Sequence, residues 1–166
     1  MYLKNIKSFI EFNQKINESV DIHYNGYDFK YICSSWGDTS ETEEALGFLK
    51  NRFKRYISYD CYNYAYITYR VYRALVAVCE FEIVDINKMH ISYIYSDVKR
   101  KGIASSMIKT LISSYPNYKI AAYVRKSNIP SLTMFKELGF KIIGETQIDD
   151  LDGMSFILEY DEQSTF

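Results

Sequence analysis

The chain has 166 residues, of which 48% are hydrophobic and 25% charged, and its formal net charge is −1. This length suffices for one domain with its own core, and the near-neutral charge disfavours a protein that mainly coats nucleic acid. Three cysteines without C-x-x-C spacing (Cys33, Cys61 and Cys79) indicate a reducing, cytoplasmic compartment and neither a disulfide scaffold nor a zinc site. No segment approaches the ~18 apolar residues of a membrane span, so no membrane partner is expected.

The first sixty residues predict two helices separated by a hairpin. Residues 1–20 have the pattern of an amphipathic helix. Residues 20–32 predict two strands joined at Asn25-Gly26, a dipeptide favoured in type I′ turns. A second helix is expected from Thr39 or Ser40, with acidic residues in its first turn. Its apolar stripe consists of Ala45, Phe48, Leu49, Phe53 and Ile57.

The rest of the chain predicts a mixed α+β order. Three strand-like segments at residues 62–72, 74–84 and 89–95 have short connections, which is typical of an antiparallel meander. A helix at 102–114, a strand at 118–125 and a short helix at 129–138 follow, the last with Pro130 in its first turn and Gly139 after its end. Two final strands, 140–148 and 154–160, complete the order.

The helix expected at residues 102–114 begins in an unfavourable way. The cations at 99–101 crowd the end where the helix macrodipole is already positive, and residues 99–104 contain no Ser, Thr, Asp or Asn to cap it. Gly102 allows a ligand to approach the backbone closely, and phosphate groups on the free N–H groups would remove the electrostatic conflict. Alternatively, Asp97 caps an earlier helix start and the three cations are solvated.

The residues around this helix start resemble the central motif of the GNAT superfamily of N-acetyltransferases. In that family a strand leads into Arg/Gln-x-x-Gly-x-Gly/Ala at a helix start, and residues 99–104, KRKGIA, match this hexad with Lys99 in the Arg/Gln slot. A second motif of the family, V-x-x-x-N-x-x-A-x-x-L-Y-x-x-x-G-F, is in register with Val124, Asn128, Ser131, Met134, Phe135, Gly139 and Phe140. The resemblance covers residues 75–160, so we expect a single GNAT-like domain over residues 1–166 with an atypical part at 1–60.

The resemblance implies both a fold and a co-substrate. The fold is α+β: a mixed sheet with an antiparallel meander, a V-shaped splay between the fourth and fifth core strands, flanking helices, and here an extra N-terminal helix and hairpin. The co-substrate is acetyl-CoA, with its diphosphate at the helix start and its pantetheine arm along the splayed strand; no metal is expected. The residues expected to hold it are Ile94, Tyr95, Lys99, Arg100, Lys101, Gly102, Ile103, Ala104, Ser105, Asn128, Ser131 and Phe135.

The sequence departs from the family pattern at one position that matters for proton transfer, Phe135. Acetyl transfer needs a neutral amine and a proton for the departing thiolate. Many family members supply that proton from a tyrosine in the slot that Phe135 occupies here. A phenylalanine cannot donate it, so Tyr123, Ser131 and Tyr95 are candidate replacements.

The candidate base is His90, because histidine changes charge near neutral pH. Simple strand alternation would place His90, Ser92 and Ile94 on one face, which makes Ser92 a second candidate in proton transfer.

A competing base is Glu82, which with Glu80 interrupts an otherwise apolar strand. A two-residue turn at Ile86-Asn87 would place both glutamates on the face opposite His90, and a loop longer by one residue would bring them to its face. A solvated sheet face carrying both acids is the alternative to a catalytic role.

The acceptor is specified only as a primary amine. A protein lysine or N-terminus, a polyamine, an antibiotic amine and an aminoacyl-tRNA all fit. Cations and aromatics at residues 50–56 would suit RNA phosphates or a solvated helix face, and nucleic acid is expected only as part of an RNA-linked acceptor. Five acids would attract an amine, or else belong to a helix start and a solvated loop: Glu43, Glu44, Asp149, Asp150 and Asp152.

The sequence therefore predicts an acetyl-CoA-dependent N-acetyltransferase, as a monomer or homodimer. The alternatives are a catalytically weak GNAT-fold protein that binds CoA or a macromolecular partner without transfer, and an RNA- or protein-binding domain without CoA.

Overall fold

A computed structural model describes residues 22–24, 28–34, 39–53, 64–72, 74–148 and 153–162. The strands in these ranges are β1 (Ile22–Tyr24), β2 (Asp28–Ser34), β3 (Tyr64–Val71), β4 (Ala74–Asp85), β5 (Lys88–Ser96), β6 (Lys119–Arg125), β7 (Lys141–Gln147) and β8 (Met154–Tyr160). The helices are α1 (Thr39–Arg52), α2 (Ile103–Ser114) and α3 (Ile129–Glu137). No helix in these ranges is long and apolar enough to cross a membrane.

The strands form one 8-stranded sheet in the order β1-β2-β3-β4-β5-β6-β8-β7. Every neighbouring pair is antiparallel except β5 and β6, which run parallel. The predicted meander and the α+β order are confirmed, and β1 and β2 pair antiparallel as the hairpin prediction requires. The expected helix at 1–20, the turn residues Asn25 and Gly26, and Ile57 lie outside the described residues.

The parallel pairing of β5 with β6 is short. It runs from Lys88 opposite Lys119 to Ile91 opposite Ala122, whereas β5 continues to Ser96 and β6 to Arg125. The two strands therefore separate after Ile91, and one edge of β5 is left without its β6 partner. This is the predicted V-shaped splay between the fourth and fifth core strands.

Helices cover both faces of the sheet. On one face, α2 and α3 pack against the strands in the main core, whose central residues are Phe81, Met89, Met107, Ile108, Leu111, Ile120 and Leu132. On the other face, α1 buries Ala45, Phe48 and Leu49 against Tyr66 and Val78. The amphipathic stripe predicted for α1 is thus confirmed as far as the structure describes it. We call these the α2/α3 face and the α1 face.

A β-bulge at Val84 brings a glutamate to His90. The β4–β5 turn has the two residues expected, Ile86 and Asn87, but Val84 is an extra residue between two paired positions of β4. As a result Glu82, not Ile83, stands directly opposite His90. The prediction that a two-residue turn puts the glutamates on the opposite face is wrong, because the bulge shifts the register by one.

A second bulge, at Ser92, breaks the alternation of β5. Glu80 pairs with Tyr93 and Phe81 with Ile91, so Ser92 has no opposite residue. Glu80 and Glu82 are two residues apart in β4, so their side chains lie on the same face of the sheet. Their partners in β5, Tyr93 and His90, therefore share that face, which is the α1 face. Simple alternation of His90, Ser92 and Ile94 is therefore wrong, and Ile94 packs against the main core.

Glu80 itself is not solvated. It is only 2% exposed, so the solvated-face alternative is wrong for this residue. Glu82 remains partly exposed, and the two acids of one strand therefore have different environments.

An ion-pair network fixes α1 to the sheet. Arg70 donates hydrogen bonds to the carboxylates of Glu41 (2.8 Å from Nη2 to Oε2) and Glu44 (3.2 Å from Nη1 to Oε1). Thr68 donates to Glu41 at 2.6 Å. Glu44 is therefore used in packing a helix, in line with the structural interpretation of this acid; Glu43 is exposed, and Asp149, Asp150 and Asp152 lie outside the described residues.

The contribution of Glu44 to stability should depend on pH. Its hydrogen bond from Arg70 lowers the pKa of Glu44, and the charge of Arg70 adds to this effect while partial burial opposes it. A carboxyl with a lowered pKa stabilises the fold above its unfolded pKa of about 4.3 and loses that contribution as pH falls through its lower folded value. Glu44→Gln should therefore cost about 0.5 kcal/mol at pH 7, the scale of an exposed ion pair, and less near pH 3. Urea unfolding at both pH values measures this, with Glu43→Gln as control; equal losses at both pH values would contradict it.

Candidate functional site

A cleft of about 360 Å³ opens beside the free end of β5. It lies between that strand end, the loop that leads into α2, and the first turns of α2 and α3. Its lining residues are Ile94, Tyr95, Ser96, Val98, Lys99, Arg100, Gly102, Ile103, Ala104, Ser105, Pro130, Ser131 and Met134.

The start of α2 has no side-chain cap. Gly102 occupies the N-cap position in a left-handed conformation (φ 72°, ψ 8°) without a side-chain hydrogen bond, and the first helical bond runs from the Ser106 N–H to the Gly102 carbonyl at 2.8 Å. The N–H groups of the first turn therefore have no partner within the helix, which makes this end suitable for an anion. The alternative in which Asp97 caps an earlier start is wrong, because Asp97 pairs with Arg52 and α2 begins at Ile103.

Two cations line the cleft at this helix start. Lys99 and Arg100 are both exposed lining residues, and the Lys99 ammonium lies 3.8 Å from the ring centroid of Tyr95. Arg100 adopts a positive φ of 57°, so the backbone turns sharply just before Gly102. Positive charge and uncapped N–H groups thus share one end of the cleft.

Most of the residues predicted to hold the cofactor line this cleft, but three do not: Lys101, Asn128 and Phe135. The Asn128 side chain accepts a hydrogen bond from the Ser131 N–H at 3.3 Å as the N-cap of α3. Phe135 is 2% exposed and packs edge to face on Phe140 at 4.9 Å between ring centroids. Its side chain is part of the main core.

Sequence reasoning missed four lining residues: Ser96, Val98, Pro130 and Met134. A signal existed for two of them. Pro130 and Met134 are four residues apart on α3 and flank Ser131, so helical spacing places them on one side of that helix. Ser96 accepts a hydrogen bond from the Val98 N–H at 3.2 Å and donates one to its carbonyl at 2.9 Å, which shapes the loop that ends β5.

On the α1 face, Glu82, His90 and Tyr123 meet at the point where the strands begin to separate. Glu82 Oε1 lies 3.4 Å from His90 Nδ1, and the two side chains are 25% and 17% exposed. The His90 and Tyr123 ring centroids are 4.6 Å apart. Tyr123 follows the last β6 residue paired with β5 and is 43% exposed.

Two atoms at this point have no hydrogen-bond partner within the described part of the chain. They are His90 Nε2 and Ser92 Oγ, and both are buried. A carboxylate at Nδ1 favours the tautomer in which Nδ1 carries the proton, which leaves Nε2 with a free lone pair. The arrangement is that of an imidazole base oriented by a carboxylate, as the contact between Glu82 and His90 shows. Tyr123, which carries a hydroxyl, packs its ring against His90.

Residues 70–148 match the family model described as FR47-like protein. Comparison of the sequence with curated proteins gives no significant match.

Several solved N-acetyltransferases have the same fold. The ribosomal-protein-S18-alanine N-acetyltransferase from Escherichia coli superposes with a TM-score of 0.62 at 15% identity, covering 78% of this chain and 92% of its own. Ard1 from Thermoplasma volcanium gives 0.60 at 14% identity, with 79% and 96% covered. Arabidopsis thaliana Naa50, solved with the bisubstrate analogue CoA-Ac-MVNAL, gives 0.62 at 13% identity, with 80% and 98% covered. At these identities the likeness establishes a shared fold.

Proposed function

Because the chain carries an FR47-like segment on a GNAT N-acetyltransferase fold, as its sequence predicted, we propose that it transfers an acetyl group from acetyl-CoA to a primary amine. The observation that carries this proposal is the cleft, which joins an unpaired strand edge to an uncapped, cationic helix start. Those two features are what a ligand with amides at one end and phosphates at the other requires.

The chain's own groups suit each part of acetyl-CoA. The diphosphate would accept hydrogen bonds from the N–H groups of the first turn of α2, with Lys99 and Arg100 balancing its charge. The pantetheine amides would pair along the free edge of β5 near Ile94 and Tyr95, in the manner of an added strand. A side chain on Gly102 would point into open space, so the backbone there is accessible to a ligand.

Proton removal from the amine is assigned to His90. The amine nitrogen attacks the thioester carbonyl, the C–S bond breaks, and the amine loses a proton to His90 Nε2, directly or through water. Glu82 is the positioning residue, since its carboxylate at Nδ1 holds the tautomer and stabilises the imidazolium. Ser92, whose hydroxyl is buried in the bulge, is a candidate for holding that water.

Of the three candidate acids for the thiolate, we choose Tyr123 because it lies beside the proposed base, although Tyr95 and Ser131 line the cleft. Tyr123 contacts His90, whereas the Tyr95 ring packs against the Lys99 ammonium and Ser131 lies on α3. Tyr123→Phe should lower kcat about tenfold, less than the ~10²–10⁴-fold typical of a general acid, because a thiol with a pKa near 8.5 also leaves without one. Acetyl-CoA affinity should not change. Steady-state kinetics test this, with Tyr72→Phe, on a residue 72% exposed in the β3–β4 connection, as control; an unchanged kcat would remove Tyr123 from the mechanism.

The experiment that tests the function is calorimetric titration with acetyl-CoA, followed by release of free thiol in the presence of amines. The amine panel should contain a peptide N-terminus, a lysine peptide, a polyamine, an aminoglycoside and an aminoacyl-tRNA. Micromolar binding with amine-dependent thiol release is the expected result. Absence of binding would overturn the proposal, and binding without release on any amine would favour the alternative of a GNAT-fold protein that binds CoA without transfer.

A further inference from the structure

Arg52, at the last residue of α1, connects that helix to the loop before α2. Its guanidinium donates to both carboxylate oxygens of Asp97, with 2.9 Å from Nε to Oδ1. It also donates to the Phe48 carbonyl at 3.1 Å and lies 3.4 Å from the centre of the Phe48 ring. Each of the three guanidinium nitrogens of Arg52 therefore donates one hydrogen bond that holds the side chain in place, which is the condition under which an Arg–carboxylate pair is specific.

Asp97 stands at the entrance of the cationic loop. Its N–H donates to the Val76 carbonyl of β4 at 2.9 Å, so both backbone and side chain are held. Its neighbours Ser96 and Val98 line the cleft. The loop that carries the cations at 99–101 therefore leaves from a residue fixed to β4 and to α1.

The ring of Tyr95 joins the same contacts. Its centre lies 3.8 Å from the Lys99 ammonium and 5.9 Å from the Arg52 guanidinium carbon. The rings of Phe48 and Phe53 approach it to 6.3 Å and 5.6 Å between centroids. One end of α1 thus packs directly on a residue that lines the cleft.

Without a cationic partner, the negative charge of Asp97 would repel an anion bound at the cationic loop. The hydrogen bond from Arg52 lowers the pKa of Asp97; partial burial opposes this shift, and the charges of Arg52 and Lys99 add to it. The carboxylate is therefore ionised at neutral pH, and its charge interacts with that of Lys99, the cation proposed to balance a phosphate. Arg52 neutralises the one acidic side chain of the segment between Ser96 and Ile103.

We propose that Arg52 is a positioning residue of the diphosphate site, which cancels the charge of Asp97 at the base of the cationic loop, so that helix α1 contributes to affinity for acetyl-CoA. This rests on the proposed function, because the anion concerned is the CoA diphosphate. It also gives Arg52, one of the cations at residues 50–56, a role that does not involve RNA phosphates.

The test is a double-mutant cycle on acetyl-CoA binding by calorimetry. Arg52→Met should raise Kd about tenfold, equivalent to 1.4 kcal/mol, because it leaves an unpaired carboxylate beside the diphosphate. Asp97→Asn should change Kd less than threefold, since the repulsion disappears with the charge. Arg52→Met combined with Asp97→Asn should bind more tightly than Arg52→Met alone. That rescue distinguishes a charge effect from a merely structural one, because loss of the Arg52–Asp97 contact alone would leave the double variant no tighter than Arg52→Met.

Lys50→Met is the matched control, because Lys50 is an exposed cation two residues away on the same helix; its Kd should stay at the wild-type value. Far-ultraviolet circular dichroism shows that each variant is folded, and Arg52→Lys provides a second variant that keeps the charge and should bind between the wild type and Arg52→Met. An unchanged Kd in Arg52→Met, or a double variant no tighter than Arg52→Met, would overturn the inference while leaving the function in place. Failure of the wild type to bind acetyl-CoA would overturn both.

Discussion

Replacement of Gly102 by glutamate should raise the Kd for acetyl-CoA at least 100-fold. The glutamate would place a carboxylate at the uncapped start of α2, where the diphosphate is proposed to bind. That carboxylate would accept hydrogen bonds from the same N–H groups and would repel the diphosphate. It fits sterically, because a Cβ at this position meets no atom within 4 Å. The left-handed backbone (φ 72°) adds a strain of about 1–2 kcal/mol for any residue with a Cβ. Calorimetric titration measures the loss.

Two controls separate the charge from the strain. Gly102→Ala carries the same backbone strain without the carboxylate and should weaken binding only a few-fold. Gly153→Glu carries both the strain and the charge, since Gly153 has φ 95° and open space around its Cβ, but it does not line the cleft. Its affinity should equal that of the wild type. Retained affinity in a folded Gly102→Glu variant would show that the diphosphate does not lie at this helix start.

The cleft beside the start of α2 could be predicted because most of its lining residues are close together in the sequence. Residues 94–105 end β5, form the loop and begin α2, so the absence of a capping residue and the position of Gly102 were visible as local features. Helix starts are decided by neighbouring residues. The splay between the fourth and fifth core strands was predicted from the same segment, because its motif resembles that of the GNAT superfamily.

The contacts that join Glu82, His90 and Tyr123 could not be predicted, because they depend on strand register. A bulge at Val84 places Glu82 opposite His90, and a bulge at Ser92 changes which side chains of β5 share a face. Each bulge is one extra residue in an otherwise ordinary strand, and no residue type marks it. Tyr123 reaches His90 only because two strands that are distant in sequence run in parallel and then part.

Long-range packing explains two further differences. Arg52 and Asp97 are 45 residues apart, so their ion pair is visible only in the folded chain. The sequence indicates Asp97 only as the cap of an earlier helix start, and Arg52 only as part of a solvated helix face or an RNA contact. Phe135 was identified by its motif position, but its side chain packs on Phe140 in the main core. A motif fixes where a residue falls along a helix, and the neighbouring core decides which cavity its side chain fills.

His90 is expected to matter most for turnover. His90→Gln should lower kcat/KM about 10²–10³-fold, within the range for loss of a general base, while the Kd for acetyl-CoA stays unchanged because His90 does not line the cofactor cleft. The effect should appear in kcat as well as in kcat/KM, because the proton is removed only as the new bond forms. Acetyl-CoA-dependent thiol release with a saturating amine measures it.

Glu82→Gln should cost less, about tenfold in kcat, because at 3.4 Å from His90 Nδ1 the carboxylate orients the imidazole but does not touch the amine. The combination with His90→Gln should be no slower than His90→Gln alone, since Glu82 acts through His90. The matched control is His23→Ala, in the chain's other histidine, which lies in the edge strand β1 five strands from β6 and should leave kcat unchanged. A Glu82→Gln effect that persists undiminished in the absence of His90 would make Glu82 the base in its own right. A His90→Gln variant with wild-type kcat would show that the amine reaches the thioester already neutral. His90 would then have no role in proton transfer.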